Sequence, residues 1–168
     1  MRSHLIDDIF THLAEKHGFK IDHAPKALKA RLEELPLPMS VLRLLQWRWP
    51  RKRVCLGPYE LYTAEEILAS QDLTKLLKAK MIQVGSAPNG DPFVIRFALH
   101  DQAEVGLISH DSLYESPNID PKKAYVAVAK SVDEYLYKVA EDRFLPMDFY
   151  SAREFQLLKS ELKKRQES

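Results

Sequence analysis

Three groups of side chains in this sequence are of types that could do chemistry, and each has its own requirement. His110-Asp111 could supply a base beside a carboxylate, but a catalytic pair also needs a nucleophile within reach of the imidazole. The only thiol is Cys55, far away in the chain. Catalytic groups assemble in space, so that distance excludes nothing by itself. Neither Cys55 nor any serine, however, lies in a nucleophile-elbow or papain-like context. A neutral histidine at a strand end, hydrogen-bonded to a nearby backbone group or carboxylate, is the simpler reading. Asn89-Gly90-Asp91 offers oxygens beside a glycine, yet a calcium loop needs several acids at alternating positions and only Asp91 stands there. Asn and Gly tolerate positive φ, so hairpin chemistry is the expected role.

The histidines His4, His12, His17 and His23 gather near the N-terminus. His12 and His17 miss the i, i+4 spacing that shares a helix face, and no HExxH or paired-cysteine spacing accompanies them. The glycines are scattered singly, so no phosphate-binding loop or nucleotide fingerprint can be drawn. The expectation is no metal, no cofactor, no catalytic residue and no enzyme activity.

Trp47-Arg48-Trp49-Pro50-Arg51-Lys52-Arg53 is the most unusual segment, and three readings of it stay open. Tryptophans interleaved with basic residues could stack bases and neutralise phosphates, although nothing else in the chain extends the patch. Trp and Arg are also the residues most enriched at binding hot spots, which favours a protein contact. The third reading packs the tryptophans into the core or a groove wall and leaves the arginines solvated at a helix end. If the segment binds a protein, the candidate contacts are Trp47, Arg48, Trp49 and Arg51, joined by Tyr59.

Behind these side chains lie elements that alternate in period. Apolar residues Leu5, Ile6, Ile9, Phe10 and Leu13 predict a helix from Ser3 to His17, with Asp7 and Asp8 in its first turn and Gly18 as its stop. Leu28, Leu32 and Leu35 predict a second helix from Pro25, broken at Leu35-Pro36-Leu37-Pro38. A third runs from about Met39 to Trp47. Short strands flank Gly57-Pro58. Thr63-Ala64-Glu65-Glu66 then forms a capping box, with Tyr62 and Ile67 as its hydrophobic staple, and Asp72 to Ala79 gives another helical piece. Met81 to Gly85, the alternating Phe93-Ile95-Phe97-Leu99 and Val105 to Ser109 predict an antiparallel meander, turning at Asn89-Gly90 and at His100-Asp101-Gln102. Ser116 to Lys123 reads as a loop with little to pack, and Tyr125 to Ala129 as a last strand. Capping boxes at Ser131/Glu134 and Ser151/Glu154 open two further helices. The last has Tyr150 and Phe155 as its staple, and Phe155, Leu158 and Leu162 as its buried stripe. The fold class is therefore α+β, a central, mostly antiparallel sheet with helices around it and extra N- and C-terminal helices.

Bulk properties narrow the function classes. The chain has 168 residues, a formal net charge of +1, 45% apolar and 29% charged residues. That is one domain with enough apolar residues for its own core, and no global field to steer it to nucleic acid or anionic lipid. A lone cysteine implies no oxidising compartment. Acids stand where a signal peptide needs an apolar core, and no apolar run approaches the ~20 residues that span a bilayer. The expected setting is the cytoplasm, away from membranes.

One ordered set of residues resembles a known family. It comprises Leu35-Pro36 before a leucine-rich helix, Gly57-Pro58-Tyr59-Glu60-Leu61-Tyr62 before Ala64-Glu65-Glu66-Ile67, and Val84-Gly85-Ser86-Ala87 leading to Gly90-Asp91-Pro92-Phe93. It continues through Val105-Gly106-Leu107-Ile108-Ser109-His110-Asp111 and Ala127-Val128-Ala129-Lys130-Ser131-Val132-Asp133-Glu134-Tyr135-Leu136. This order resembles the SUKH superfamily of fungal cell-wall-assembly regulators and bacterial toxin-immunity proteins. The similar stretch covers about 35–139, with flanking helices over 3–34 and 144–165, in a single domain spanning 1–168. The resemblance implies an α+β fold and a non-enzymatic binding role. One form of that role is an immunity protein, bacterial in that case, that occludes its cognate toxin. The alternative is a regulatory scaffold in a cytosolic assembly. It implies structural roles for Gly85, Gly90, Asp91 and His110. The balanced charge and the basic stretch from Arg48 to Arg53 argue against a basic nuclease as the partner.

Overall fold

A computed structural model describes residues 2–99 and 102–167, with side chains over 8–97 and 103–167. Expectations that rest on the side chains of His4, Leu5, Ile6, Asp7 and Leu99, or on the turn at His100-Asp101, lie outside the described residues.

The N-terminal part folds as α1 (Arg2–His17), α2 (Lys26–Glu33) and α3 (Met39–Trp47). Gly18, at φ +68°, ends α1 with the left-handed turn that glycine adopts at least cost. Because α1 starts at Arg2, Asp8 lies beyond its first turn and is not the dipole partner the sequence predicts. Pro25 and Pro38 precede α2 and α3, where a missing N–H costs nothing. Phe10, Leu13, Leu28, Leu32, Val41 and Leu45 point inward from these helices.

The central sheet joins β1 (Val54–Leu56), β2 (Tyr59–Leu61), β3 (Met81–Ser86), β4 (Pro92–Leu99), β5 (Gln102–Ile108) and β6 (Tyr125–Ala129) in chain order, every neighbour antiparallel. Between β2 and β3 lie α4 (Ala64–Ala69) and α5 (Leu73–Lys78). The α4 start is the expected capping box: Thr63 Oγ1 accepts from the Glu66 amide at 3.3 Å, and Glu66 Oε2 accepts from the Thr63 amide at 2.9 Å. The fold is α+β, as expected.

The stretch between β5 and β6 is more ordered than the sequence implies. It holds α6 (His110–Glu115) and the one-turn α7 (Pro121–Ala124), capped by Asp120. His110 therefore opens a helix rather than closing a strand. Leu113 and Ala124 join Leu76, Met81, Val94 and Ile108 in a small core on one face of the sheet, and Ile119 packs against it. That stretch is no bare loop. The opposite face carries the main core, which runs from Phe10 through Tyr59, Phe93 and Tyr135 to Ala152, so both flanking regions share it.

α8 (Val132–Ala140) and α9 (Phe149–Glu167) complete the chain. Ser131 caps α8 as expected, its Oγ accepting from the Glu134 amide at 3.1 Å, but Glu134 reaches back one residue further, to the Lys130 amide at 2.7 Å. At α9 the expected box at Ser151/Glu154 is replaced by one a turn earlier. Asp148 Oδ1 accepts from the Ser151 amide at 2.8 Å, and Ser151 Oγ accepts from the Asp148 amide at 3.1 Å. The two polar side chains that accept from each other's backbone amides mark where the helix begins. Among the described residues, no helix is long and apolar enough to cross a membrane.

Two glycines sit where the ladder changes register, Gly85 in β3 and Gly106 in β5. A Cβ on Gly106 would lie 2.3 Å from the Val126 carbonyl oxygen and 2.5 Å from the Tyr125 ring. The obstacle on one side is backbone, which cannot swing aside. Gly106→Ala is expected to destabilise the fold by about 1–3 kcal/mol through overpacking, read as a lower urea midpoint. An unchanged midpoint would show that β5 and β6 separate without cost.

Candidate functional site

The tryptophan–arginine segment divides between surface and core. Trp47, the last residue of α3, is 46% exposed; Lys29 Nζ lies 4.1 Å from its ring centroid and the His23 ring meets it edge-on at 4.5 Å. Two residues on, Trp49 is 3% exposed and donates from Nε1 to the Tyr62 carbonyl at 2.6 Å. Tyr59 is fully buried, stacked on Phe93 with centroids 4.4 Å apart, and donates to the Pro146 carbonyl at 2.7 Å. Burial pushes its phenol well above the usual tyrosine range. Trp49 and Tyr59 are thus core residues, and neither can touch a partner as the sequence analysis allowed.

The cations divide too. Arg51 pairs with Glu65 at 3.4 Å, and Arg53 pairs with Glu66 at 2.7 Å and Glu60 at 3.3 Å. Acids on β2 and α4 therefore meet much of the basic run, which is no open track for phosphates. Of the five candidate contacts, Trp47 and half-buried Arg48 stand together on the wall of a cleft of about 970 Å³, open on one side. α1, α3 and the start of α8 form it. Phe10, Val41 and Val132 supply an apolar floor.

The polar residues between the strands converge on one carboxylate. Asp91 lies in the β3–β4 turn with its side chain wholly enclosed. Its Oδ1 accepts from the His110 amide at 3.1 Å and from His110 Nδ1 at 2.6 Å; its Oδ2 accepts from Asn89 Nδ2 and from the Phe149 amide, each at 2.8 Å. Burial alone would raise its pKa, but the Phe149 amide, the Asn89 side chain and His110 outweigh burial and hold it below the usual carboxylate range. An ionised carboxylate only accepts, so Nδ1 of His110 carries the proton. His110 is raised above its ordinary value, chiefly by that hydrogen bond.

The exposed side of the His110 ring faces a further acid. Its Nε2 lies 3.3 Å from Asp111 Oδ1, while Tyr150 donates to Asp111 Oδ2 at 3.2 Å. The histidine is oriented as a general base would be, but its partners are two carboxylates. Cys55 is exposed on edge strand β1, paired in register with Glu60, and makes no hydrogen bond to His110. Among the described residues, no group of three or more His, Cys, Asp or Glu side chains is placed to hold a metal ion. This arrangement fixes the starts of α6 and α9 to the sheet.

The surface that sequence reasoning missed is α9 itself. Phe149 and Ala152 are buried, and every described side chain from Arg153 onward is exposed. The predicted buried stripe is uncovered, with Phe155 39%, Leu158 58% and Leu162 58% exposed. Phe144 extends it, its ring 5.2 Å from that of Phe155. One side-chain bond, from Gln156 Nε2 to the Ala127 carbonyl at 2.9 Å, ties the middle of the helix to edge strand β6. The staple partner Tyr150 is likewise exposed, while Phe149 takes the inward position. A helical period announces an apolar face but says nothing of what covers it.

Comparison with family models, with curated proteins and with solved structures finds no match.

The Asp91–His110 pair sets a pH window. The Asp91 contribution is complete above about pH 4 and is lost as pH falls through its lowered pKa; that of His110 is complete below about pH 6.5 and is lost as pH rises through its raised one. The stability gap between the wild type and His110→Gln, from urea unfolding, is therefore expected to be widest near pH 5–6 and to narrow by about pH 9. In NMR, the His110 ring should titrate above about 6.5. A midpoint below that value would contradict the pairing.

Proposed function

We propose that this protein is a binding module for another protein, and that it acts in the cytoplasm of a bacterium as an immunity protein occluding a cognate toxin. The observation that carries the binding role is the uncovered stripe of Phe155, Leu158 and Leu162, continued by Phe144. Contiguous exposed apolar side chains rimmed by charge are a recurring mark of protein contact surfaces. Lys159, Glu161, Lys163 and Glu154 provide that rim here. A helix with little tertiary cover gains small stability from propensity alone, so a partner on the stripe would also hold the helix.

The immunity role draws its support from the SUKH resemblance over about 35–139 and from the mechanical use made of the polar residues. Asp91, Asn89 and His110 satisfy one another and the backbone, which is what a fold built to present a surface requires. Occlusion needs a rigid body with an adhesive face. Burial of the apolar ridge would supply the adhesion, at roughly 25 cal/mol per Å² of apolar surface removed from water.

The test is co-expression with the product of the adjacent gene. The expected result is a stoichiometric complex and relief of that product's toxicity, with affinity at least about tenfold weaker for Leu158→Glu at an unchanged melting temperature. A non-toxic neighbour with no complex would refute the immunity role, and several weak partners in its place would favour the scaffold. Equal binding by Leu158→Glu would remove the ridge as the contact.

A further inference from the structure

We propose that the cleft beside Trp47 is a second binding site, one that takes a short acidic peptide segment carrying a bulky apolar residue. The cleft shares no lining residue with the α9 ridge, so this inference stands apart from the immunity reading. Its volume of about 970 Å³ lies at the top of the roughly 300–1,000 Å³ range of ligand pockets. The open side admits a chain that enters and leaves, rather than a small molecule enclosed on all sides.

The chemistry of the lining defines the occupant. The floor is apolar: Phe10, Val41 and Val132 come from three different elements and are already packed from behind. A ligand group seated there must be apolar too, because nothing on the floor can replace the water it would lose. The wall is basic. Arg43 and Arg48 line it with His23, against Asp133 as the one acid among the described residues. Arg43 in particular is exposed and, among the described residues, has no carboxylate partner, whereas nearby Arg51 and Arg53 both have one. A guanidinium prefers a carboxylate with which it can form two parallel hydrogen bonds. Ser40, on the same helix, adds a hydroxyl that can give or take a hydrogen bond.

Trp47 joins the two chemistries. Lys29 over its ring and His23 against its edge fix the indole before any ligand arrives, so little side-chain entropy remains to be lost on binding. A rigid aromatic on the same wall as Arg43 has the make-up of a binding hot spot. Its partner by complementarity is an acidic residue beside an aromatic or aliphatic one.

Selection of a displayed random peptide library on the immobilised full chain tests this without knowledge of the natural partner. Enriched sequences are expected to combine Asp or Glu with Phe, Leu, Ile or Trp. Synthetic copies should bind at least about tenfold more weakly to Arg43→Glu and to Trp47→Ala, with Arg43→Lys losing less and Leu158→Glu nothing. Arg43 is exposed, so its variants retain the fold even if Trp47→Ala does not. Failure to enrich peptides over the bare support would overturn the proposal. So would neutral or basic consensus sequences, equal binding by Arg43→Glu, or displacement of the peptides by oligothymidylate.

Discussion

The Asp91 carboxylate reaches no solvent, and four N–H groups from three separate segments point at it. A buried charge without partners would cost several kcal/mol, more than most single contacts in the fold can return. Here the cost is offset from every side. Two of the donors are first-turn amides of helices, His110 in α6 and Phe149 in α9, so the anion also faces two positive dipole ends. An amide side chain could not do the same, since its NH₂ group would confront donors. One residue in a hairpin turn thus decides where two distant helices start and how they meet the sheet. The surface on α9 exists where it does because its first turn is pinned there.

A second constraint acts beside it. Tyr59, Phe93 and Tyr135 form one aromatic cluster, and both hydroxyls donate to backbone carbonyls, Tyr59 to Pro146 and Tyr135 to Leu56. The Leu56 carbonyl lies at the β1–β2 turn and the Pro146 carbonyl just before α9, so the cluster fastens sheet edge, α8 and the α8–α9 connection to one core. Such a partner offsets the cost of taking a tyrosine hydroxyl out of water. The geometry therefore removes Tyr59 from the surface for the same reason that it makes the residue valuable inside.

How far the sequence reveals all this depends on whether a signal is local. The meander, the hairpin at Gly57-Pro58 and the Thr63/Glu66 box rest on neighbours in the chain, and they are legible. Failures come where a choice is made in space. Ser151 was available both to Asp148 and to Glu154, and only the anchored Phe149 selects the earlier start. Trp47 and Trp49 are the same residue type two positions apart, yet the end of α3 falls between them and turns one outward and one inward. His110 sits at a strand-to-helix junction, and the partner that explains it is nineteen residues earlier in another turn. No local pattern encodes that pairing. The Phe155-Leu158-Leu162 stripe fails differently: its period is right, and the structure leaves it uncovered.

That last mismatch sets α9 apart from the rest of the domain. Inside the domain several polar groups are matched: Asp91 has its four donors, Gln46 reaches Glu33 and Lys138 reaches the Val128 carbonyl, while Arg96 Nε and the Tyr125 hydroxyl are enclosed without a hydrogen-bond partner. Along α9 the economy is reversed, and large apolar side chains face water while the helix gains little from tertiary contact. Leu158 and Leu162, each 58% exposed, hide little apolar surface within this chain. Selection for stability alone would not favour them, and selection for solubility would oppose them. Their presence is understandable if their cover arrives from outside. A contact of that kind asks no chemistry of the chain, only that the helix be held at a fixed angle to a rigid sheet. The enclosed Asp91 carboxylate meets that requirement.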